Sequence, residues 1–396
     1  MSVEMNYFDW NISYPAITLC PEYKSDGNKI QSFIIKTYND TGLSIEKYLY
    51  AISQASLYTL DFMDLNSSED IVSLVHPKDY ATLAASMFRE SQNSWLATST
   101  NWSITVDAAM TEMGMCHVIN SNVAIYDRPH SWITGTTANV TTYIKNNIEL
   151  SVFEADFVTE IRNYSNVFKV FIHSPEEVTT SITSSFGFEV EGIITFGLSV
   201  WSSRISDALR YTPRFLRKCR FSHEPISNRY PIYSYGHCIL ECRIKMIQKL
   251  CGCVPHFYKP LSHERICYVS ELQCILKYKK EIITLKTSEK TLRRFNYHKD
   301  LPRISHDCGC ISTCDLDLYY KDKEDFEPKK DFNKLKIKIT SFPKVRVLRD
   351  IIFNYYDMLL KSGGVVNLCI GSSIISIMEI ILIIQKTKLL LLNTNN

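Results

Sequence analysis

Ten of the thirteen cysteines fall between Cys219 and Cys314. Cys238 and Cys242 stand four apart, and two Cys-Gly-Cys triplets follow at Cys251–Cys253 and Cys308–Cys310. Two chemistries suit such a set. Thiolates at these spacings could hold zinc, or the sulfurs could be oxidised in pairs. The run lacks the paired Cys-x-x-Cys knuckles of a zinc site. With Cys369 set aside in its apolar segment, twelve cysteines remain, an even number as a closed disulfide set requires. Disulfides, an oxidising compartment and no metal are therefore expected. No nucleophile–base arrangement stands out, and the ten histidines are scattered. The chain reads as no enzyme and needs no cofactor.

A second chemistry lies in "GGVVNLCIGSSIISIMEIILII", Gly363–Ile384. Residues 365–384 would form a helix of about 30 Å, the thickness of a bilayer's hydrocarbon core. At 100° per residue, Gly364, Asn367, Gly371 and Glu379 share an arc of about 120°, with Ser372 at its border. A carboxylate at that depth is costly unless it faces protein or water. One reading is a helix-packing face, with Glu379 reaching for the surface. The other is a pore lining. There, backbone carbonyls around Gly371–Ser373 replace a cation's water and Glu379 draws cations to one mouth. The basic "QKTK" that follows places this end in the cytoplasm.

These residues need a scaffold. The formal net charge of +2 gives no field for nucleic acid or other polyanions, and an aromatic content of 12% with 23 tyrosines suits a β-rich core. Sequons at Asn11, Asn39, Asn66, Asn101, Asn139 and Asn163 agree with an extracellular, glycosylated body. The first twenty residues hold no apolar run of the needed length, so no N-terminal signal peptide is expected there. Residues 1–200 read as strands and loops. "VFKVFIHSP" is a strand ended by Pro175, "FGFEVEGIITFGLSVW" holds two strands with a turn near Gly192, and "KDYATLAASMFRES" is a helical patch. "SYGHCILECRIKMIQKLCGC" has helical spacing, with Cys238 and Cys242 on one face. A Cys-rich loop to Cys274 and a basic, polar stretch Lys277–Lys299 follow. "NKLKIKITSF" alternates as a strand, and "VRVLRDIIFNYYDMLL" feeds the apolar segment.

Several of these motifs together resemble the degenerin/epithelial sodium channel family, most nearly its insect pickpocket branch. "YPAITLC" (Tyr14–Cys20) is similar to the segment that follows the family's first transmembrane helix. "GMCHVIN" (Gly114–Asn120), "ECRIKMIQKLCGCVPHFY" and "CGCISTC" resemble its extracellular cysteine motifs. "GGVVNLCIGSSIISIMEI" resembles its second transmembrane helix, with the Gly-x-Ser filter at Gly371, Ser372 and Ser373 and the acidic residue at Glu379. The resemblance spans Tyr14 to Ile384.

It implies an α+β membrane protein with a large β-rich, disulfide-bonded extracellular domain of palm, ball, finger, thumb and knuckle, plus a C-terminal transmembrane helix. The implied divisions are a remnant at 1–13, an extracellular domain at 14–355 with a Cys-rich thumb region at 219–314, a second transmembrane helix with its pre-pore segment at 356–385, and a cytoplasmic tail at 386–396. The implied function is a subunit of a trimeric, amiloride-sensitive, Na⁺-selective channel in the plasma membrane. Its partners would be membrane lipid and related subunits, as a homo- or hetero-trimer, with Na⁺ as the permeant ion. The family's nesting implies the disulfides Cys20–Cys116, Cys219–Cys314, Cys238–Cys310, Cys242–Cys308, Cys251–Cys274 and Cys253–Cys267.

Three departures stand out. Only thirteen residues precede "YPAITLC", so the first transmembrane helix is expected to be missing. Asn367 replaces a usual Gly in the pore-lining helix. Leu360, three residues before the Gly363–Gly364 pair, replaces a small residue, and bulk at that site holds degenerins open. Two other readings are a non-conducting, receptor-like or regulatory subunit and a single-pass surface-binding protein.

Overall fold

The computed structural model describes residues 2–5, 7–38, 43–63, 75–90, 96–98, 104–134, 148–154, 156–189, 191–287, 308–330, 332–352, 355–370 and 374–393. The chain divides into two compact units. The larger comprises residues 3–204 and 213–347; the smaller comprises 1–2, 205–212 and 348–396.

Two sheets carry the larger unit. In one, strands run in the order Ser185–Phe188, Phe168–His173, Ala16–Pro21, Gly114–Ile119 and Val106–Thr111. The other centres on the long strand Gly192–Ile205, flanked by Leu316–Pro328 in antiparallel and Asn333–Ser341 in parallel register. "NKLKIKITS" shows why it becomes a strand. Leu335, Ile337 and Ile339 are buried and the lysines between them point outward, the period-two pattern of a one-faced strand. Opposite Leu335, Ile337 and Ile339 stand Ile194, Phe196 and Leu198, likewise buried. With Tyr14, Ile17, Leu19, Phe168 and Val170 they form the core of the sheets.

A second core is helical. Helices Gly27–Tyr38, Leu43–Gln54, Tyr80–Ser86, Tyr235–Cys251 and Leu272–Thr284 contribute to it. Two of these correct the reading of residues 1–200 as strands and loops. In "GNKIQSFIIKTY" the apolar Ile30, Phe33 and Ile34 recur at helical spacing, and Ile30 and Ile34 are buried. Leu49 and Ile52 do the same in the next helix. The stretch from Lys277 is likewise not merely basic and polar. Leu272, Ile275, Tyr278 and Ile282 make an apolar stripe beneath the lysines. The two strands around Gly192 do not form a hairpin, because Ser185–Phe188 pairs with Phe168–His173 in the other sheet.

Helix Tyr235–Cys251 is fixed at both ends. Ser234 Oγ accepts the His237 N–H at 3.0 Å, and Gly252 adopts φ +72°, donating its N–H to the Gln248 carbonyl at 2.8 Å.

The smaller unit contains helices Tyr355–Ile370 and Ile374–Asn393. Residues 371–373, which separate them in the chain, lie outside the described residues, and the second helix runs on beyond Gln385. Among the described residues, no helix is long and apolar enough to cross a membrane.

Candidate functional site

The cysteine chemistry is disulfide chemistry. Cys20 joins Cys116, Cys219 joins Cys314, and Cys238 joins Cys310. Cys242 joins Cys308, Cys251 joins Cys274, and Cys253 joins Cys267. Cys253, Cys267 and Glu271 approach one another closely enough to share an ion, but the two sulfurs are spent on each other. Both cysteines that face one side of helix Tyr235–Cys251 are therefore tied to the Cys308–Cys310 triplet.

The same helix sends three ionisable side chains inward. Arg243 pairs with Glu112, neither side chain being exposed at all. Glu112 sits at the tip of the hairpin between Val106–Thr111 and Gly114–Ile119, and Gly114 at φ +81° closes that turn. Its carboxylate also accepts the Tyr258 hydroxyl and the Ser181 N–H, each at 2.6 Å. Glu241 accepts from Arg229, whose guanidinium is forked onto both oxygens of Glu264 at 2.6 and 2.8 Å. His237 lies 3.0 Å from Asp127 and is stacked on Tyr230. Sequence reasoning missed all of these. The one available signal was polar residues at helix positions that alternate with Ile239, Ile244 and Ile247 and so belong to a buried face.

From Cys314 the chain enters the strand that holds the beginning of the protein. Asp317 accepts the Ser202 hydroxyl at 2.7 Å and Arg204 at 2.9 Å, and it reaches the Ser13 N–H at 3.4 Å. The Tyr319 hydroxyl donates to the Ser13 carbonyl at 2.5 Å, and that of Tyr14 donates to Ile337 at 3.2 Å. The segment before "PAITLC" is thereby latched to strands more than 300 residues away.

In the C-terminal segment, Leu360 is 75% exposed and Asn367 and Glu379 are exposed. Gly363 is half-buried, and a Cβ on Gly364 would meet nothing within 4 Å. Val365, Leu368, Ile375, Met378 and Ile380–Ile384 are bare as well. An apolar surface of this extent marks a place where lipid or another protein must cover the chain. Gly371, Ser372 and Ser373 lie outside the described residues, as do Asn39, Asn66, Asn101 and Asn139. Asn11 and Asn163 are exposed. Asn163 sits in a left-handed turn, with its Oδ1 3.3 Å from the Asn333 nitrogen.

The family model described as amiloride-sensitive sodium channel matches residues 1–383. The chain belongs to that family. This family is one of ion channels, not of enzymes. Among curated relatives of this sodium channel family member is the sodium channel protein Nach of Drosophila virilis, 25% identical over 229 residues, 56% of this chain and 57% of that protein. Pickpocket protein 19 of Drosophila melanogaster is 27% identical over 182 residues, 43% of this chain and 34% of that one. Acid-sensing ion channel 4-B of Danio rerio is 24% identical over 302 residues, 68% and 47%. The chain thus spans between a third and somewhat over half of the length of these relatives.

Proposed function

We propose that the chain is a subunit of a trimeric, amiloride-sensitive, Na⁺-selective channel of the plasma membrane, opened through its disulfide-bonded extracellular body. The observation that carries the reading is the family match across residues 1–383, which takes in the Gly371–Ser373 segment. The bare apolar helices from Tyr355 onward support it, because three copies packed about an axis, with lipid outside, would cover them. On this reading, carbonyls and hydroxyls at Gly371–Ser373 ring the narrowest point. Asn367 lines the approach, Glu379 concentrates cations, and Leu360 lies at the gate beside Gly363 and Gly364.

A rigid lever suits such gating. Helix Tyr235–Cys251 is tied by two disulfides and three buried polar pairs, so force on it is passed on and not absorbed. Cys314 leads within five residues to Asp317 and Tyr319, which grip Ser13. Strand Asn333–Ser341 continues along the chain into the C-terminal helices.

The test is voltage clamp of cells expressing the full transcript. Amiloride-sensitive inward Na⁺ current, lost on replacing Gly371 with Trp at unchanged surface expression, supports the reading. No current alone, with altered current when a related subunit is co-expressed, would make the chain a regulatory subunit.

A further inference from the structure

A cavity of about 690 Å³ opens in the larger unit among strand Phe168–His173, the start of helix Tyr235–Cys251 and strand Leu316–Pro328. Its size lies within the range of small-molecule sites. Ile172, Ile182, Phe186, Ile239, Leu316 and Tyr319 give it an apolar, partly aromatic wall.

The ionisable side chains His173, Glu177, Asp317 and Lys321 in its lining are unequal. Asp317 is neutralised by Arg204 and bonded to Ser202. Lys321 is paired with Glu324, and its ammonium lies over Phe186 at 4.6 Å and Phe196 at 5.3 Å. His173 is engaged by Thr18 and by the Ser174 carbonyl. Glu177 differs. Its carboxylate accepts the N–H groups of Tyr235 at 3.1 Å and Gly236 at 2.9 Å; among the described residues no Lys or Arg forms an ion pair with it, and His237, which acts on it electrostatically, is bonded to Asp127. Gly236 makes this approach possible, since a Cβ there would stand 2.6 Å from Val178 Cγ2.

We propose that this cavity binds a small organic amine: the ammonium pairs with Glu177, and an apolar body of about ten to fifteen heavy atoms packs against Phe186 and Tyr319. The site stands whether or not the chain conducts ions.

Calorimetric titration of the full chain in detergent tests it, with 4-phenylbutylamine, the neutral 4-phenylbutanol and the anionic 4-phenylbutyrate as probes. The amine is expected to bind at least about tenfold more tightly than either analogue. Glu177→Gln keeps an acceptor for the helix N–H groups and should erase that preference. Ile182→Trp fills the mouth of the cavity and should abolish amine binding with Tm unchanged. Equal binding of the three probes, tighter binding of the acid, or amine binding untouched by both substitutions overturns the proposal.

Discussion

Arg243 and Glu112 form an ion pair that water does not reach, and the pair joins helix Tyr235–Cys251 to the tip of a hairpin more than a hundred residues earlier. Breaking such a pair from one side strands the other charge. Arg243→Met is expected to cost about 3–5 kcal/mol of stability. Adding Glu112→Leu removes the stranded charge and should recover part of that loss. Recovery stays incomplete because the Tyr258 hydroxyl and the Ser181 N–H lose their acceptor, at about 1–3 kcal/mol each. Guanidinium unfolding followed by fluorescence reads both numbers. A double variant no more stable than Arg243→Met alone would show that the charge pair is not what matters.

Acid should destabilise the larger unit through three buried histidines. Burial pushes His117, His173 and His256 down to about 4. The unfolded chain binds a proton near pH 6.5, so each neutral histidine contributes stability that is complete above that value and is lost as pH falls toward 4. The loss is on the order of 3 kcal/mol per histidine. Glu177, raised mainly by burial, acts in the opposite direction. Unfolding midpoints measured between pH 4 and 7 should therefore rise with pH, and a flat profile would contradict the three assignments.

The cysteine framework shows how far the sequence could be read. Even number and density pointed to disulfides, but spacing left the partners open, and only the family resemblance supplied pairs. Alternating Leu335, Ile337 and Ile339 made their strand plain, because one face is buried and the other wet. Helices Gly27–Tyr38 and Leu272–Thr284 were missed because each hides a narrow apolar stripe among polar residues. Glu112 was invisible for another reason. Its partners Ser181, Arg243 and Tyr258 come from three distant parts of the chain, which no local pattern reports.

On the proposed channel reading, Glu379→Gln should lower single-channel conductance, and more so in dilute salt, where a fixed charge concentrates cations over a longer range. Single-channel recording across several ionic strengths gives the answer. Conductance unchanged at every concentration would remove Glu379 from the ion path.

On the same proposed reading, Leu360→Ala should reduce current at rest and leave ion selectivity intact. If neighbouring helices pack closely near Gly363 when closed, the larger side chain overpacks them by about 1–3 kcal/mol. That shifts an open-to-closed ratio about five- to 150-fold. Resting amiloride-sensitive current at matched surface expression is the measurement. A silent substitution would mean that Leu360 faces lipid.

The parallel pairing of Gly192–Leu198 with Asn333–Ile339 also sets a timetable for biosynthesis. At about 5–20 residues per second, the ribosome delivers the second strand roughly seven to thirty seconds after the first. Until then the edge of Gly192–Leu198 that Asn333–Ile339 will pair stays open, and Ser13 waits longer still for Asp317 and Tyr319. A product stopped before Asn333 would carry that bare sheet edge, a template for pairing with other chains.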